Sequence, residues 1–311
     1  MDKKTVYGLV GPTASGKTAL SLRLARELGG EILCMDSMQI YCGMDIGTAK
    51  PTAEERAAAP HHLLDIADPA QPFSVTEYTV RARPLLERLR APILVGGTGF
   101  YLRGLSQPMD YGYVPGNQTI RDRYEALAAR DGVEAVHAAL AAVDPASAAR
   151  LHPNDLRRVV RALEVYELTG TRFSEQKIPD GADSPWRFVL FALDWPRETL
   201  YDRINARVDV MLEEGLLNEV KGLLDRGVPT GAQAMQGIGY KELIPVLTAG
   251  AALDEAVELI KRRSRNYAKR QLTWFRADER IHWLSMPEGR TVGDAFDEMM
   301  DAIRAGGGIT P

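Results

Sequence analysis

Apolar and polar positions divide the chain into two textures. Residues 6–10 form a short continuous apolar run stopped at Gly11, the pattern of a buried strand, and Leu20, Leu24 and Leu28 then recur at helical spacing across residues 19–28. Ile32-Leu33-Cys34-Met35 ending at Asp36, and Ile93-Leu94-Val95 ending at Gly96-Gly97-Thr98-Gly99, predict a second and a third strand, and residues 189–193 ending at Asp194 a fourth. Strands alternating with helices predict an α/β fold, a parallel-sheet core covered by helices, whose ligands bind beyond the carboxyl ends of the strands. Asp36, Thr98 and the first loop then face one crevice.

From about Tyr113 to Asp183 alanine becomes dense and helical periodicity takes over, at residues 120–130, 133–142 and 155–168, with Asn154 or Asp155 placed to cap the last helix. This stretch predicts a helical insertion domain, residues 113–183, inside a core made of 1–112 and 184–311. Loops at 108–115 and 179–185 bound it. After Asp194 the pattern is mainly helical to Ile303, and the glycines at 306–308 are expected to fray.

Composition narrows the class. The 311 residues are 45% hydrophobic and 26% charged, globular values that indicate neither a disordered chain nor a fibre. Two cysteines, Cys34 and Cys42, make no disulfide framework and no zinc-ligand spacing, which points to a reducing compartment. No apolar run has the length of a signal-peptide core or a membrane span, so a soluble cytoplasmic protein with no membrane partner is expected, a monomer by default. The five histidines include no i, i+4 pair of the kind that holds a metal on a helix.

Gly11-Pro12-Thr13-Ala14-Ser15-Gly16-Lys17-Thr18 satisfies G-x-x-x-x-G-K-[ST], directly after a predicted strand and opening a predicted helix. Glycines let the backbone curl around phosphate oxygens, the helix N-terminus adds partial positive charge, Lys17 neutralises, and Thr18 is placed to ligate Mg²⁺. The loop alone fits an ATP-binding small-molecule kinase as well as other phosphate chemistry. A guanine-reading N-K-x-D is absent. Asp36, at a strand end, can hold Mg²⁺, act as a general base or cap a following helix, and position alone leaves the three open. The glycines around Thr98 fit turn chemistry as well as a binding loop.

Charge is uneven. The formal total is −4, with 38 basic and 42 acidic residues, yet residues 261–276 hold seven basic residues and no acidic one. Arg262, Arg265, Lys269 and Arg276 share a helical face, while Tyr267, Trp274 and Phe275 offer core contacts or stacking surfaces. A cationic face embedded in an acidic chain points to a polyanion. Arg157, Arg158 and Arg161 form a smaller basic group in the insertion.

Gly11 to Thr18, Asp36-Ser37-Met38-Gln39-Ile40-Tyr41, Gly43-Met44-Asp45-Ile46-Gly47-Thr48-Ala49-Lys50-Pro51, His61-His62-Leu63-Leu64-Asp65-Ile66, Gly96-Gly97-Thr98, His152-Pro153-Asn154-Asp155 and Gly237-Ile238-Gly239-Tyr240-Lys241-Glu242 run in order along almost the whole chain. Together they resemble the bacterial tRNA dimethylallyltransferases, also called isopentenyl-diphosphate:tRNA transferases. The resemblance implies Mg²⁺-dependent transfer of a dimethylallyl group from dimethylallyl diphosphate to the exocyclic amine of the adenosine at tRNA position 37, beside the anticodon. It implies that residues 11–18 grip the diphosphate leaving group, that ATP is not a substrate, and that the adenine is flipped into a channel between core and insertion. Asp36 would be the general base, aided by Lys17 and Thr18. Contacts to the anticodon stem-loop would come from Asp36, Ser37, Met38 and Gln39, from Thr98, from Arg121, Arg157, Arg158, Val159, Val160 and Arg161, and from Asn266, Tyr267, Ala268, Lys269, Arg270 and Gln271. Gln236 stands where some members carry an arginine.

Overall fold

The computed structural model describes residues 3–106, 114, 116–175 and 184–306. The loops expected at 108–115 and 179–185, and glycines 307 and 308, lie largely or wholly outside them. The chain begins with β1 (Lys4–Val10), α1 (Lys17–Leu28), β2 (Glu31–Cys34), α2 (Ala53–Ala58), β3 (His61–His62), α3 (Val75–Arg88), β4 (Pro92–Gly96) and α4 (Gly99–Ser106). Four helices follow: α5 (Gln118–Asp131), α6 (Val133–Val143), α7 (Pro145–Arg150) and α8 (Leu156–Thr169). The last third holds β5 (Trp186–Asp194), α9 (Arg197–Glu213), α10 (Leu216–Asp225), α11 (Tyr240–Ala249), α12 (Leu253–Arg276), β6 (Ile281–Ser285) and α13 (Val292–Ala305).

Two compact units result: Met1–Ser106 with Ser184–Pro311, and Gln107–Asp183. In the first, six parallel strands lie in the order β3-β2-β4-β1-β5-β6. Successive residues of β1 point to opposite faces, as the pleat requires: Val6 and Val10 enter one apolar cluster, with residues of α3, α4, α10 and α11, and Tyr7 and Leu9 enter another, with residues of α1 and α13. Both faces are therefore covered, which is why the strands read as unbroken apolar runs. At the carboxyl edge Val10 pairs with Gly96 and with Ala192, and Cys34 with Val95, so the loops after β1, β2, β4 and β5 emerge side by side.

Two strands differ from the sequence expectation. β3 is only two residues long, and β6 interrupts the stretch expected to be mainly helical. In β6 only Ile281 and Leu284 are buried, so a five-residue edge strand leaves too little apolar signal to stand out between helices.

The second unit is helical throughout its regular structure, built on Val136, Leu140, Val159, Ala162 and Leu163. Asp155 occupies the N-cap position of α8 but makes no capping bond; its carboxylate pairs with Arg158 at 3.3 Å. Asn117 caps α5, accepting the Ile120 N–H at 3.1 Å, and Asp144 caps α7. Asp144 is fully buried and accepts the N–H groups of Ser147 (3.0 Å) and Ser174 (2.8 Å). Burial pushes its carboxyl up, but the hydrogen bonds from Ser147 and Ser174 outweigh that and hold it at about 2. A depressed carboxyl stabilises the fold fully above its ordinary value of 3.8, and that contribution is lost as pH falls through about 2. Asp144→Asn should therefore lower the unfolding free energy at pH 7 by about 2 kcal/mol and flatten its decline between pH 4 and 2, read by urea unfolding.

Candidate active site

The loop after β1 is shaped by backbone rather than side chains. Gly11 (φ 122°) and Gly16 (φ 102°) lie where glycine alone is unstrained, and Ala14 (φ 60°) is left-handed between them. Helix α1 then starts with no side-chain cap, so its first N–H groups remain available to an anion. The carbonyls are tied from behind: Trp195 Nε1 donates to Ser15 O (2.8 Å), Arg203 Nε to Ala14 O (2.8 Å) and Lys17 Nζ to Pro12 O (2.5 Å). The Arg203 guanidinium also stacks 4.6 Å from the Trp195 ring centroid.

Positive charge is crowded here. Burial, then the charge of Arg207, push the Lys17 ammonium down to about 7, against the pull of Asp36. Arg207 is itself lowered by burial and by Arg203, with Glu55 and Glu214 opposing. Arg203 and Arg207 were not singled out from the sequence. Their signal is an i, i+4 arginine pair on α9, which reads like any solvated helix face until the fold brings it to the loop.

Asp36 follows β2, which is separated from β1 by β4 in the sheet. Its Oδ1 accepts the N–H of Met38 (2.8 Å) and of Gln39 (3.4 Å), closing a tight turn, and among the described residues no hydrogen bond engages Oδ2. Turn closure and base chemistry are thus compatible, one oxygen for each. Burial raises the Asp36 carboxyl, opposed by the Met38 and Gln39 bonds and by the Lys17 charge. A carboxylate so placed is a stronger base than one in water.

Thr98 Oγ1 accepts the Ser37 N–H at 3.0 Å, and Gln271 clasps two loops, its Nε2 donating to Gly97 O (2.9 Å) and its Oε1 accepting from Thr13 N (3.4 Å). A Cβ on Gly97 would sit 2.0 Å from Gln271 Nε2, so glycine is required for this approach. Burial, with the nearby Asp36 charge, pushes the Tyr267 hydroxyl up to about 12, with Arg270, Thr98 and Gln271 pulling the other way. The fold therefore gathers residues 11–18, 36–39, 98 and 267–271 in one place.

Not every residue implied by the resemblance is available to a partner. Val159 and Val160 are buried in the helical unit, and Ala268 and Gln271 in the sheet unit, so the side chains of these four serve packing or bridging. Within the helical unit Arg121 and Arg161 both bind the fully buried Glu164, Arg121 at 2.8 Å, while Arg157 and Arg158 are exposed. On α12, Lys261 pairs with Asp209 (2.7 Å), Arg263 with Glu242, and Arg276 with Asp194 (3.1 Å), and Arg265 donates to Asn205 (2.6 Å). Of the seven basic residues, Arg262, Lys269 and Arg270 are exposed with no carboxylate partner among the described residues. Asn266 lies exposed beside them, and Gln236 donates to Thr230 O.

Among the described residues no group of three or more His, Cys, Asp or Glu is placed to hold a metal, and no helix is long and apolar enough to cross a membrane. A metal at this loop would meet the Thr18 hydroxyl and, past the end of β2, the Asp36 carboxylate. That sparse oxygen set fits Mg²⁺ carried chiefly by substrate phosphates.

The chain is similar to known proteins over nearly its whole length. The profile described as IPP transferase matches residues 39–278, and that described as isopentenyl transferase matches residues 4–65. The tRNA dimethylallyltransferase of Geobacter metallireducens is 51% identical over 308 residues, 97% of each chain, and that of Geobacillus thermodenitrificans 50% over 307 residues, again 97% of each. Among solved structures, the tRNA isopentenylpyrophosphate transferase of Bacillus halodurans is similar with a TM-score of 0.72 at 44% identity, covering 97% of this chain and 96% of its own. A eukaryotic dimethylallyltransferase, caught in crystallographic snapshots acting on tRNA, superposes with a TM-score of 0.81 at 30% identity, covering 97% of this chain and 79% of the other. With the match running through the phosphate loop, the Asp36 turn, the insertion and the basic helix, the chain belongs to the tRNA dimethylallyltransferase (IPP transferase) family.

Proposed function

We propose that this enzyme moves the dimethylallyl group of dimethylallyl diphosphate onto the exocyclic amine of adenosine 37 of tRNA, with Asp36 as general base and residues 11–18 as the seat of the leaving diphosphate. The observation that carries the reading is the placement of Lys17 and Asp36 beyond the carboxyl ends of β1 and β2, the strands on either side of β4, where each acts on the other's charge. As the allylic C–O bond breaks, negative charge grows on the diphosphate, where the uncapped N-terminus of α1, Lys17 and the Arg203–Arg207 pair favour it. As the N–C bond forms, the amine becomes acidic and gives its proton to Asp36 Oδ2. Mg²⁺ held at Thr18 with the diphosphate would add neutralising charge to the leaving group.

An adenine stacked in an RNA loop cannot bring its amine to a phosphate seat at the sheet edge, so the base is flipped out of the loop. Thr98 bonds the Asp36 turn through the Ser37 N–H, and Tyr267 lies within reach of the Asp36 charge. Lys269, Arg270 and Arg262 on α12, and Arg157 and Arg158 on α8, supply charge for the anticodon stem-loop backbone.

Incubation with labelled dimethylallyl diphosphate, Mg²⁺ and unmodified tRNA should place label on adenosine 37; no label on RNA would reject the reading. Asp36→Ala should retain tRNA affinity and lose at least about 100-fold in single-turnover rate. Near-normal turnover would leave Asp36 with the turn alone.

Lys17 gives a pH signature. Its free-state value of about 7 leaves it mostly neutral at pH 8, and a bound anion favours the charged form. Binding of inorganic diphosphate at pH 8 should therefore take up as much as about one proton more in the wild type than in Lys17→Arg, whose guanidinium is always charged. Calorimetry in two buffers of different ionisation enthalpy measures the difference; equal uptake by the two proteins would contradict the assignment.

For the basic helix, Lys269→Gln with Arg270→Gln should weaken tRNA binding and reduce its salt slope by up to about one for every RNA phosphate that these side chains neutralise. Lys261→Gln, which removes a carboxylate-paired lysine, should leave the slope nearly unchanged, and equal slope changes in the two proteins would contradict the division.

A further inference from the structure

The loop running from Gly43 to Lys50 bears no group that reacts, yet it is among the most closely held segments of the sheet unit. From one side, Glu219 on α10 reaches it with both oxygens. Oε2 accepts the N–H groups of Asp45 (2.7 Å) and Ile46 (2.8 Å), and Oε1 accepts the N–H of Gly47 (3.0 Å) and the hydroxyl of Tyr240 (2.6 Å). Four donors fill the carboxylate's capacity. The approach is also steric: a Cβ on Gly47 would lie 2.7 Å from Leu216 Cδ1 and from the Tyr240 ring. Lys50, nearly buried, anchors the loop's end to Tyr41 O (2.6 Å), Asp45 (2.7 Å) and Asp65.

From the other side the loop holds Gln39. The carbonyls of Thr48 and Ala49 accept both Nε2 hydrogens of Gln39, at 2.9 and 3.0 Å, and Gln39 Oε1 accepts the Cys34 thiol at 3.3 Å. Ala49 is left-handed (φ 49°), a conformation that costs a non-glycine residue energy and persists only where surroundings fix it. With its amide donors committed to the loop, Gln39 has no N–H left for a base edge. Its backbone N–H instead closes the turn on Asp36 Oδ1.

We propose that Glu219 is a positioning residue for the prenyl transfer, holding the 45–49 loop so that the loop holds Gln39 and Gln39 holds the Asp36 turn. Gln39, within this relay, sets the base in place and does not read the RNA. The inference rests on the reading of Asp36 as general base, and the test separates the two. Three peptide N–H groups aimed at one carboxylate make Glu219→Gln a specific disruption, because whichever oxygen becomes an amide nitrogen meets donors with a donor.

Single-turnover transfer at saturating dimethylallyl diphosphate and tRNA is measured for wild type, Glu219→Gln, Gln39→Ala, Asp36→Ala and the two double variants carrying Asp36→Ala, alongside KM for tRNA and thermal midpoints. The expected result is a loss of at least about 10-fold in rate for Glu219→Gln and for Gln39→Ala, with KM for tRNA changed less than about 2-fold, and no further loss when either is added to Asp36→Ala. The same fold-loss in the Asp36→Ala background, or a risen KM for tRNA with the rate intact, overturns the proposal. Should Glu219→Gln fail to fold, Gln39→Ala carries the same cycle. A wild type that transfers no label, or an Asp36→Ala that transfers normally, rejects the underlying functional reading, a result distinct from additivity in the cycle.

Discussion

Positive charge without a matching carboxylate, packed against an uncapped helix N-terminus, is the constraint from which the rest of this site follows. Lys17 is pushed down to about 7 and Arg207 is lowered beside it because burial withholds the water that would otherwise stabilise them. Such a place is unfavourable in the free protein and becomes favourable when an anion enters. The walls must therefore hold the groups apart from water and at fixed positions without neutralising them. Trp195, Arg203 and Gln271 do this by bonding to loop backbone, so that the loop is held while its charge stays available. Asp36, the acid that acts on Lys17, sits past the end of β2, on the far side of β4, where it can take a proton.

The outline of this arrangement was legible in the sequence because each part carries a local signal. A buried parallel strand is a short apolar run, a phosphate loop has fixed glycines, and the α12 charges stand in a row. Edge strand β6 carries no such signal, and neither do contacts between distant segments. Nothing near Gln271 in the chain says that this polar side chain faces inward. The Arg203 and Arg207 pair on α9 is equally mute until the fold sets it against residues separated from it by most of the chain. For Asp36, position left three roles open; in the structure one oxygen closes a turn rather than capping a helix, and the other is uncommitted among the described residues.

Charge counting shows the same divide between local and tertiary information. Seven positive residues in sixteen look like one footprint, but the fold supplies Asp209, Glu242 and Asp194 from elsewhere to pair with three of them. What remains is a narrow strip around Arg262, Lys269 and Arg270. The opposite happens in the helical unit, where one buried carboxylate, Glu164, gathers Arg121 and Arg161 and leaves Arg157 and Arg158 exposed. Paired arginines of this kind fix the helices that present the exposed ones.

The phosphate loop is made early in the chain, but what holds it is made late. Ser15 and Trp195 are 180 residues apart, and Thr13 and Gln271 are 258 apart. β5, the second neighbour of β1 in the sheet, follows the whole helical unit in sequence. On the ribosome, then, the loop emerges with its glycines and lysine in place but with neither its flanking strand nor its clasp. Helices α5 to α8, whose contacts are local, can assemble while β1 still has an unpaired edge. A grip on phosphate is thus acquired only near the end of synthesis, when α12 arrives, so an incomplete chain carries the motif without the site.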